Sequence, residues 1–277
     1  MIDPGYIECV GDIVDDTDDV VGEVSSYNFS TRDVYAFNPI EELCSHGNTP
    51  SSFYELLSVF NVFGPIYVYP WVSTIECTLL DLDTTDGCLM AIQGRYPNSN
   101  AYSLSTKHVS PESGVNMSKV SAITTSPHGL SVACRLNNKR GISLAYACET
   151  DNDEDTISRV VACVACLSDI GTLCFKVSDY SNKLTRDVWR FLATTFFSMT
   201  LYKPAVLSCV KRGAVIVCSS RYLKRQDINV ANVDSVLQTQ IDVLEKHRLV
   251  ALDSVARRVN NGSYDTSRYV SWCVGLI

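Results

Sequence analysis

No stretch of the 277 residues supplies the run of about 18 apolar positions that a bilayer crossing needs, and the amino-terminal end is acidic where a secretory leader carries positive charge. Both absences predict a soluble, cytoplasmic chain with no membrane contact. In that setting the Asn-x-Ser sequons at Asn28, Asn116 and Asn261 carry no weight as glycosylation sites. Lysine and arginine are absent from residues 1–31, which hold Asp3, Glu8, Asp12, Asp15, Asp16, Asp18, Asp19 and Glu23. Acids and bases are equal beyond them, at 23 each, so the whole net charge of −8 sits in this leader, which reads as a solvated arm over residues 1–35. The opposite absence occurs at 203–226, where no acid interrupts Lys203, Lys211, Arg212, Arg221, Lys224 and Arg225. That stretch predicts one local basic surface for phosphate or an acidic partner, while the acidic chain as a whole excludes broad coating of nucleic acid.

A second C-x-x-C is also missing. Cys163 and Cys166 form a lone pair of that spacing, without the further pair that a zinc site requires, and Cys44 with His46 is weaker still. Both cysteines lie in a helical pattern with Ile157, Val160, Val161, Val164 and Leu167. No metal site is expected, and the 12 scattered cysteines read as buried free thiols of a reducing compartment.

What the chain does have is a central stretch, Gly171 to Ser219, around which the rest is organised. Thr172–Val177 reads as a strand that carries one lysine, Lys176, among apolar neighbours. Such a lysine needs a neutralising acid, for which Asp179 and Glu149 are the candidates, or a task. Leu184, Val188, Phe191, Leu192, Phe196 and Met199 then recur on one helical face. Leu201–Pro204 and Gly213–Ser219 follow as two strands without a crossover helix between them, so one of the two runs antiparallel.

Earlier in the chain, Ser51 or Ser52 caps a helix, with Glu55 placed to close a capping box with Ser52. Glu76–Leu82 and Ala101–Ser105 read as strands around a short helix, CLMAIQGRY. Val120–Thr124, Leu130–Cys134 and Ile142–Cys148 are further strands, and a helix runs to Ser168. Beyond Asp227, Val233, Val236, Leu237, Ile241 and Leu244 predict one or two amphipathic helices. The expected fold is α/β and Rossmann-like, with about seven mainly parallel strands, one antiparallel, and helices on both faces. The expected divisions are the arm at 1–35, a main domain at 36–226 and a helical extension at 227–277.

The order SSFYELLSVF, TLLDLDTTDG, GISLAYACETD, IGTLCFKV and KPAVLSCVKRGAVIV resembles that of the RrmJ/FtsJ-like 2′-O-methyltransferases. These transfer a methyl group from S-adenosylmethionine to a ribose hydroxyl of RNA with two lysines, an aspartate and a glutamate. The resemblance puts the first lysine on Glu55, the aspartate on Cys148 or Glu149, the second lysine on Lys176 and the glutamate on Gly213. It also puts a glycine-rich cofactor turn on Asp83, Asp86, Gly87 and Cys88, after the matching strand-end Asp81. Three of the four reactive positions have changed type, and of the turn only Gly87 is kept. The resemblance therefore implies a degenerate site with no catalysis and no bound cofactor.

Lys176, followed by Lys211 to Ser219 (K-x-x-A-V-I-V-x-S) and a basic segment, is also similar to the small non-catalytic subunits of poxvirus mRNA-capping enzymes. Those bind and stimulate the guanine-N7 methyltransferase domain of the large subunit. That resemblance implies a hetero-oligomer with a large catalytic capping subunit, in host cytoplasm or virion, with RNA reached through the partner. Two alternatives stand beside it: an active cap 2′-O-methyltransferase using Lys176 with Glu149 and S-adenosylmethionine, and an RNA-holding module at 203–225.

Overall fold

A computed structural model describes residues 50–63, 78–83, 85–104, 113–124, 142–204, 207, 211–222 and 224–261. The arm at 1–35, the expected strand at 130–134 and the apolar tail after 261 lie outside them. Five helices and seven strands are described: α1 (Ser51–Phe63), β1 (Thr78–Asp81), α2 (Gly87–Arg95), β2 (Asn100–Ser103), β3 (Val120–Ala122), β4 (Ile142–Cys148), α3 (Asp153–Cys166), β5 (Leu167–Val177), α4 (Lys183–Ala193), β6 (Phe196–Tyr202), β7 (Ala214–Arg221) and α5 (Val230–Asn261).

The strands form one sheet in the order β3-β2-β1-β4-β5-β7-β6, in which β7 alone runs against its neighbours. Alternation along the central strands sends Leu79, Leu144, Tyr146 and Cys174 to one face, packed under α1 and α2. Leu80, Ala145, Ala147, Leu173 and Phe175 go to the other face, under α3, α4 and α5. Both faces are therefore buried, as a parallel sheet of apolar strands requires. Leu237 and Ile241 of α5 are buried in that second core, together with Val188, Trp189 and Leu192 of α4. This is a Rossmann-like α/β fold, as the alternation of elements predicts.

Local chemistry accounts for the helix starts. The Asn152 side chain accepts from the backbone N–H of Glu154 and Asp155 at the head of α3, and Asn182 accepts from that of Thr185 at the head of α4. Three acids in the first turn of α3 complement the positive end of its dipole.

Three expectations are corrected. The helix expected to carry Leu184 to Met199 stops at Ala193, where the Thr194 hydroxyl bonds back to the Phe191 carbonyl, and the chain turns at once into β6. Phe196 and Met199 fit a helical face by spacing, but they pair instead with Arg221 and Cys218 of β7. The strand expected at Leu201–Pro204 thus begins five residues earlier. The helix expected to reach Ser168 ends at Cys166 and β5 begins directly, its register with β4 slipping between Ile142 and Leu144. Gly171 sits at that slip because a Cβ there would lie 2.7 Å from the Ile142 carbonyl oxygen. Finally, Cys88, Cys148, Cys163, Cys174 and Cys218 are free thiols, but Cys166 is disulfide-bonded.

The chain steps outward from β1 to β2 and β3, then returns to β4 on the other side of β1. That reversal opens a crevice at the carboxyl ends of β1 and β4, the position at which open α/β sheets bind their ligands.

Candidate functional site

The crevice is a cavity of about 270 Å³ lined by Ser51, Ser52, Asp83, Thr85, Tyr146, Cys148, Glu149, Lys176 and Ser178. Its walls are the carboxyl ends of β1, β4 and β5, and the first turn of α1 closes one side.

Glu55 lies one turn into α1 and is fully buried. It does not close a capping box with Ser52. Its Oε1 accepts from Lys176 Nζ at 2.7 Å, and its Oε2 accepts from the Tyr146 hydroxyl at 3.1 Å. Lys176 reaches it from the end of β5, its side chain 30% exposed toward the crevice. Burial pulls the lysine pKa down, but the charge and hydrogen bond of Glu55 outweigh burial and leave it raised. Lys176 is therefore a fixed ammonium with one N–H committed. Burial, with the Glu55 charge behind it, also pushes the Tyr146 hydroxyl up, which keeps it a neutral donor.

Neither acid expected to neutralise Lys176 does so. Glu149 accepts from the backbone N–H and hydroxyl of Ser178 and from Asn182 Nδ2, and Asp179 accepts from Ser181. Both acids turn away because each finds nearer donors in the loop after β5. The acid that wins is 121 residues from the lysine in sequence.

The loop after β1 forms a second cluster. Asp81 is fully buried, with Oδ1 accepting from the Asp83 backbone N–H at 3.0 Å and Oδ2 from the Ser103 hydroxyl at 3.2 Å. Burial, then the neighbouring Asp83 charge, raises its pKa well above the usual carboxylate range. Thr85 donates to Asp83 Oδ2 at 2.6 Å, which leaves Ser52 as the donor in its 2.8 Å contact with Thr85. Cys148 donates to Asp83 Oδ1 at 3.5 Å, and burial followed by the Asp83 charge pushes its thiol up to about 11. Arg159, from α3, holds the Leu82 carbonyl at 2.8 Å, while its buried Nε has no acceptor among the described residues.

Asp86 precedes α2 without a side-chain capping bond, and Cys88 is buried in the core, where burial and then Asp81 raise its thiol pKa. Gly87 is kept for a packing reason. A Cβ on it would lie 2.3 Å from Ser52 Oγ and 2.6 Å from the Phe53 backbone nitrogen, so the first turns of α1 and α2 touch there.

The sequence-derived positions Glu55, Cys148, Glu149 and Lys176 do converge on the crevice. Gly213 is not among the residues lining it; a Cβ there would sit 3.6 Å from the Val177 carbonyl oxygen. The single basic surface expected over 203–226 is not formed. The strand β7 separates its halves by about 24 Å, at about 3.4 Å per residue. At the crevice end, Lys203 donates to the Lys211 and Gly213 carbonyls, and Arg212 pairs with Glu245 of α5 at 2.8 Å. At the far end are Arg221, Lys224 and Arg225.

Tyr146, Thr85 and Arg159 were not singled out by sequence reading, and Ser52 was read only as a helix cap. Tyr146 carried a usable signal, since a phenol in a fully buried strand requires a partner for its hydroxyl.

No protein-family model matches the sequence, and no curated protein sequence matches it. Solved structures do resemble the fold. An rRNA methylase from Streptococcus thermophilus is 14% identical, with 55% of this chain and 88% of that one covered at a TM-score of 0.38. A predicted O-methyltransferase from Agrobacterium tumefaciens is 11% identical, with 62% and 82% covered at 0.43. A fibrillarin pre-rRNA processing protein from Methanococcus jannaschii is 8% identical, with 52% and 66% covered at 0.38. Similarity at this level carries no inference about activity.

Proposed function

We propose that this chain keeps the methyltransferase-like sheet as a scaffold and works as a non-catalytic subunit that binds and stimulates the guanine-N7 methyltransferase of a viral mRNA-capping enzyme. The observation that carries the first half of this reading is the Glu55–Lys176 pair. Among the described residues lining the crevice, Lys176 is the one cation, and its ammonium is held charged by an acid standing where the resembled family has a lysine. A fixed ammonium cannot accept a proton from a ribose hydroxyl. Asp83 and Glu149 add negative charge that repels an RNA backbone.

The same residues fit S-adenosylmethionine poorly. The backbone approach that Gly87 allows is taken up by Ser52 and Phe53. The second half of the reading rests on the resemblance of Lys176 and Lys211–Ser219 to the small capping subunits. Stimulation requires that the chain bind the partner's active conformation more tightly than its idle one.

Calorimetry of the full chain with S-adenosylmethionine tests the first half, with no heat expected; micromolar binding would instead favour an active methyltransferase using Lys176. Initial rates of guanine-N7 methylation on capped RNA, with and without the chain, test the second. An increase is expected, and an unchanged rate refutes stimulation.

A further inference from the structure

The pole of the sheet opposite the crevice carries a built surface that the reading above does not use. Arg221 at the end of β7 and Arg225 beyond it line a hollow of about 180 Å³, together with Val164, Phe191, Thr195 and Tyr222. Arg225 lies 5.0 Å from the centre of the Phe191 ring and donates to the Thr194 hydroxyl at 2.8 Å; Arg221 donates to the Leu167 carbonyl at 2.9 Å. These contacts orient both guanidinium groups without neutralising them, because none of Arg221, Lys224 and Arg225 forms an ion pair with a described residue. Arg212, at the crevice end, is neutralised by Glu245.

Beside the hollow stand two rings. Phe197 is 76% exposed, the most exposed large apolar side chain among the described residues, and it meets Tyr222 edge to face at 6.1 Å. Between the arginines and the rings, Ser220 holds φ at 59°, the one positive φ at a non-glycine described residue. Strain of this kind persists only where the surroundings hold it, and it recurs at ligand sites. Here it lets the chain leave β7 so that the Tyr222 N–H meets the Thr195 carbonyl at 2.8 Å, which sets Tyr222 beside Phe197.

From this juxtaposition we infer that the Arg221–Arg225 pole is a binding site for single-stranded RNA. The hollow of about 180 Å³ admits a phosphate between two guanidinium groups and leaves the base outside, against Phe197 and Tyr222. Oriented arginines beside exposed aromatic faces are the two components that sequence-tolerant single-strand binding uses. An acidic peptide would use the cations but has no need of the rings. The inference does not depend on the state of the crevice.

The test is fluorescence anisotropy of a labelled oligouridylate with the full chain across a salt series. One phosphate shared by Arg221 and Arg225 and a second met by Lys224 predict that log affinity falls with log salt at a slope of about −1.4. Lys224→Gln/Arg225→Gln removes two cations that are exposed, so the chain still folds, and reduces the slope to about −0.7. Phe197→Ala leaves the slope alone and weakens binding roughly 5- to 160-fold, the loss of one stacked base. RNA binding that is undetectable, or that neither variant changes, overturns the inference. Displacement of the RNA by polyglutamate, combined with no effect of Phe197→Ala, also overturns it and assigns the pole to an acidic protein partner.

Discussion

Replacing Lys176 by methionine tests the central ion pair with a result whose size depends on pH. The substitution keeps most of the side-chain volume but leaves the Glu55 carboxylate fully buried, with the Tyr146 hydroxyl as its one remaining side-chain donor among the described residues. Removing one partner of a buried pair costs about 3–5 kcal/mol. The folded protein has an escape, which is to protonate Glu55, and that caps the loss. Protonating a carboxyl of ordinary pKa about 4.3 costs about 1.4 kcal/mol per pH unit, hence about 3.7 kcal/mol at pH 7 and about 1 kcal/mol at pH 5.

Without its cation the buried carboxylate bears the full cost of burial, which only a proton relieves, so the variant falls further behind the parent as pH rises. For a domain of this size the loss corresponds to a Tm drop of about 7–15 °C at pH 7 and about 2–4 °C at pH 5. Circular dichroism melts at the two values measure it, with urea midpoints as a second readout. A drop of the same size at both pH values, or one under 2 °C at pH 7, would refute the view that Lys176 is the charge partner of a buried acid. Glu55→Gln is the converse control. It leaves a lysine that reaches solvent through the crevice and costs about 1–2 kcal/mol, with little pH dependence in this range.

Gly87→Ala forces a Cβ to within 2.6 Å of the Phe53 backbone nitrogen, which cannot rotate aside as Ser52 Oγ can. A loss of about 1–3 kcal/mol is expected, and adding Ser52→Gly should not restore it. Asp81→Asn keeps an acceptor for the Asp83 N–H and removes a carboxylate whose folded pKa is raised. The parent's Asp81 contribution is full below about pH 3.9 and is lost as pH rises through the folded value, so the variant gains stability relative to the parent toward neutral pH. Urea titrations at pH 4 and 7 read that crossing, and a variant less stable at pH 7 than at pH 4, relative to the parent, contradicts it. Among the free cysteines, Cys88, Cys163, Cys174 and Cys218 should resist alkylation in the native state because they are buried. Cys148, half-buried with its pKa pushed up to about 11, has about a thousandth of its thiol ionised at pH 8 and should react slowly, its rate rising about tenfold per pH unit. Peptide mass spectrometry after timed iodoacetamide treatment distinguishes these classes.

Much of the fold was legible in sequence because it rests on local chemistry. The apolar run ISLAYAC gave β4 its full length, Ile142 to Cys148. The tight link between the last two strands announced the antiparallel β7. Phe196 to Met199 went wrong because an apolar stretch of that length satisfies helical and strand spacing alike, and only the ladder with β7 decides between them. The basic run at 203–226 misled for a related reason. Sequence proximity placed six cations together, while an extended strand of eight residues carried them to opposite poles.

The site divides along the same line. Composition and spacing by themselves determined that a lysine stands alone in a strand, that an acid occupies position 55, and that the turn after β1 holds a single glycine, Gly87. Which acid meets that lysine was settled only when α1 packed across the ends of β4 and β5, because a charge carries no record of a partner 121 residues away. The role of Gly87 was settled in the same way. A missing Cβ is visible in any sequence, but whether a ligand or another helix fills the gap depends on where the chain returns.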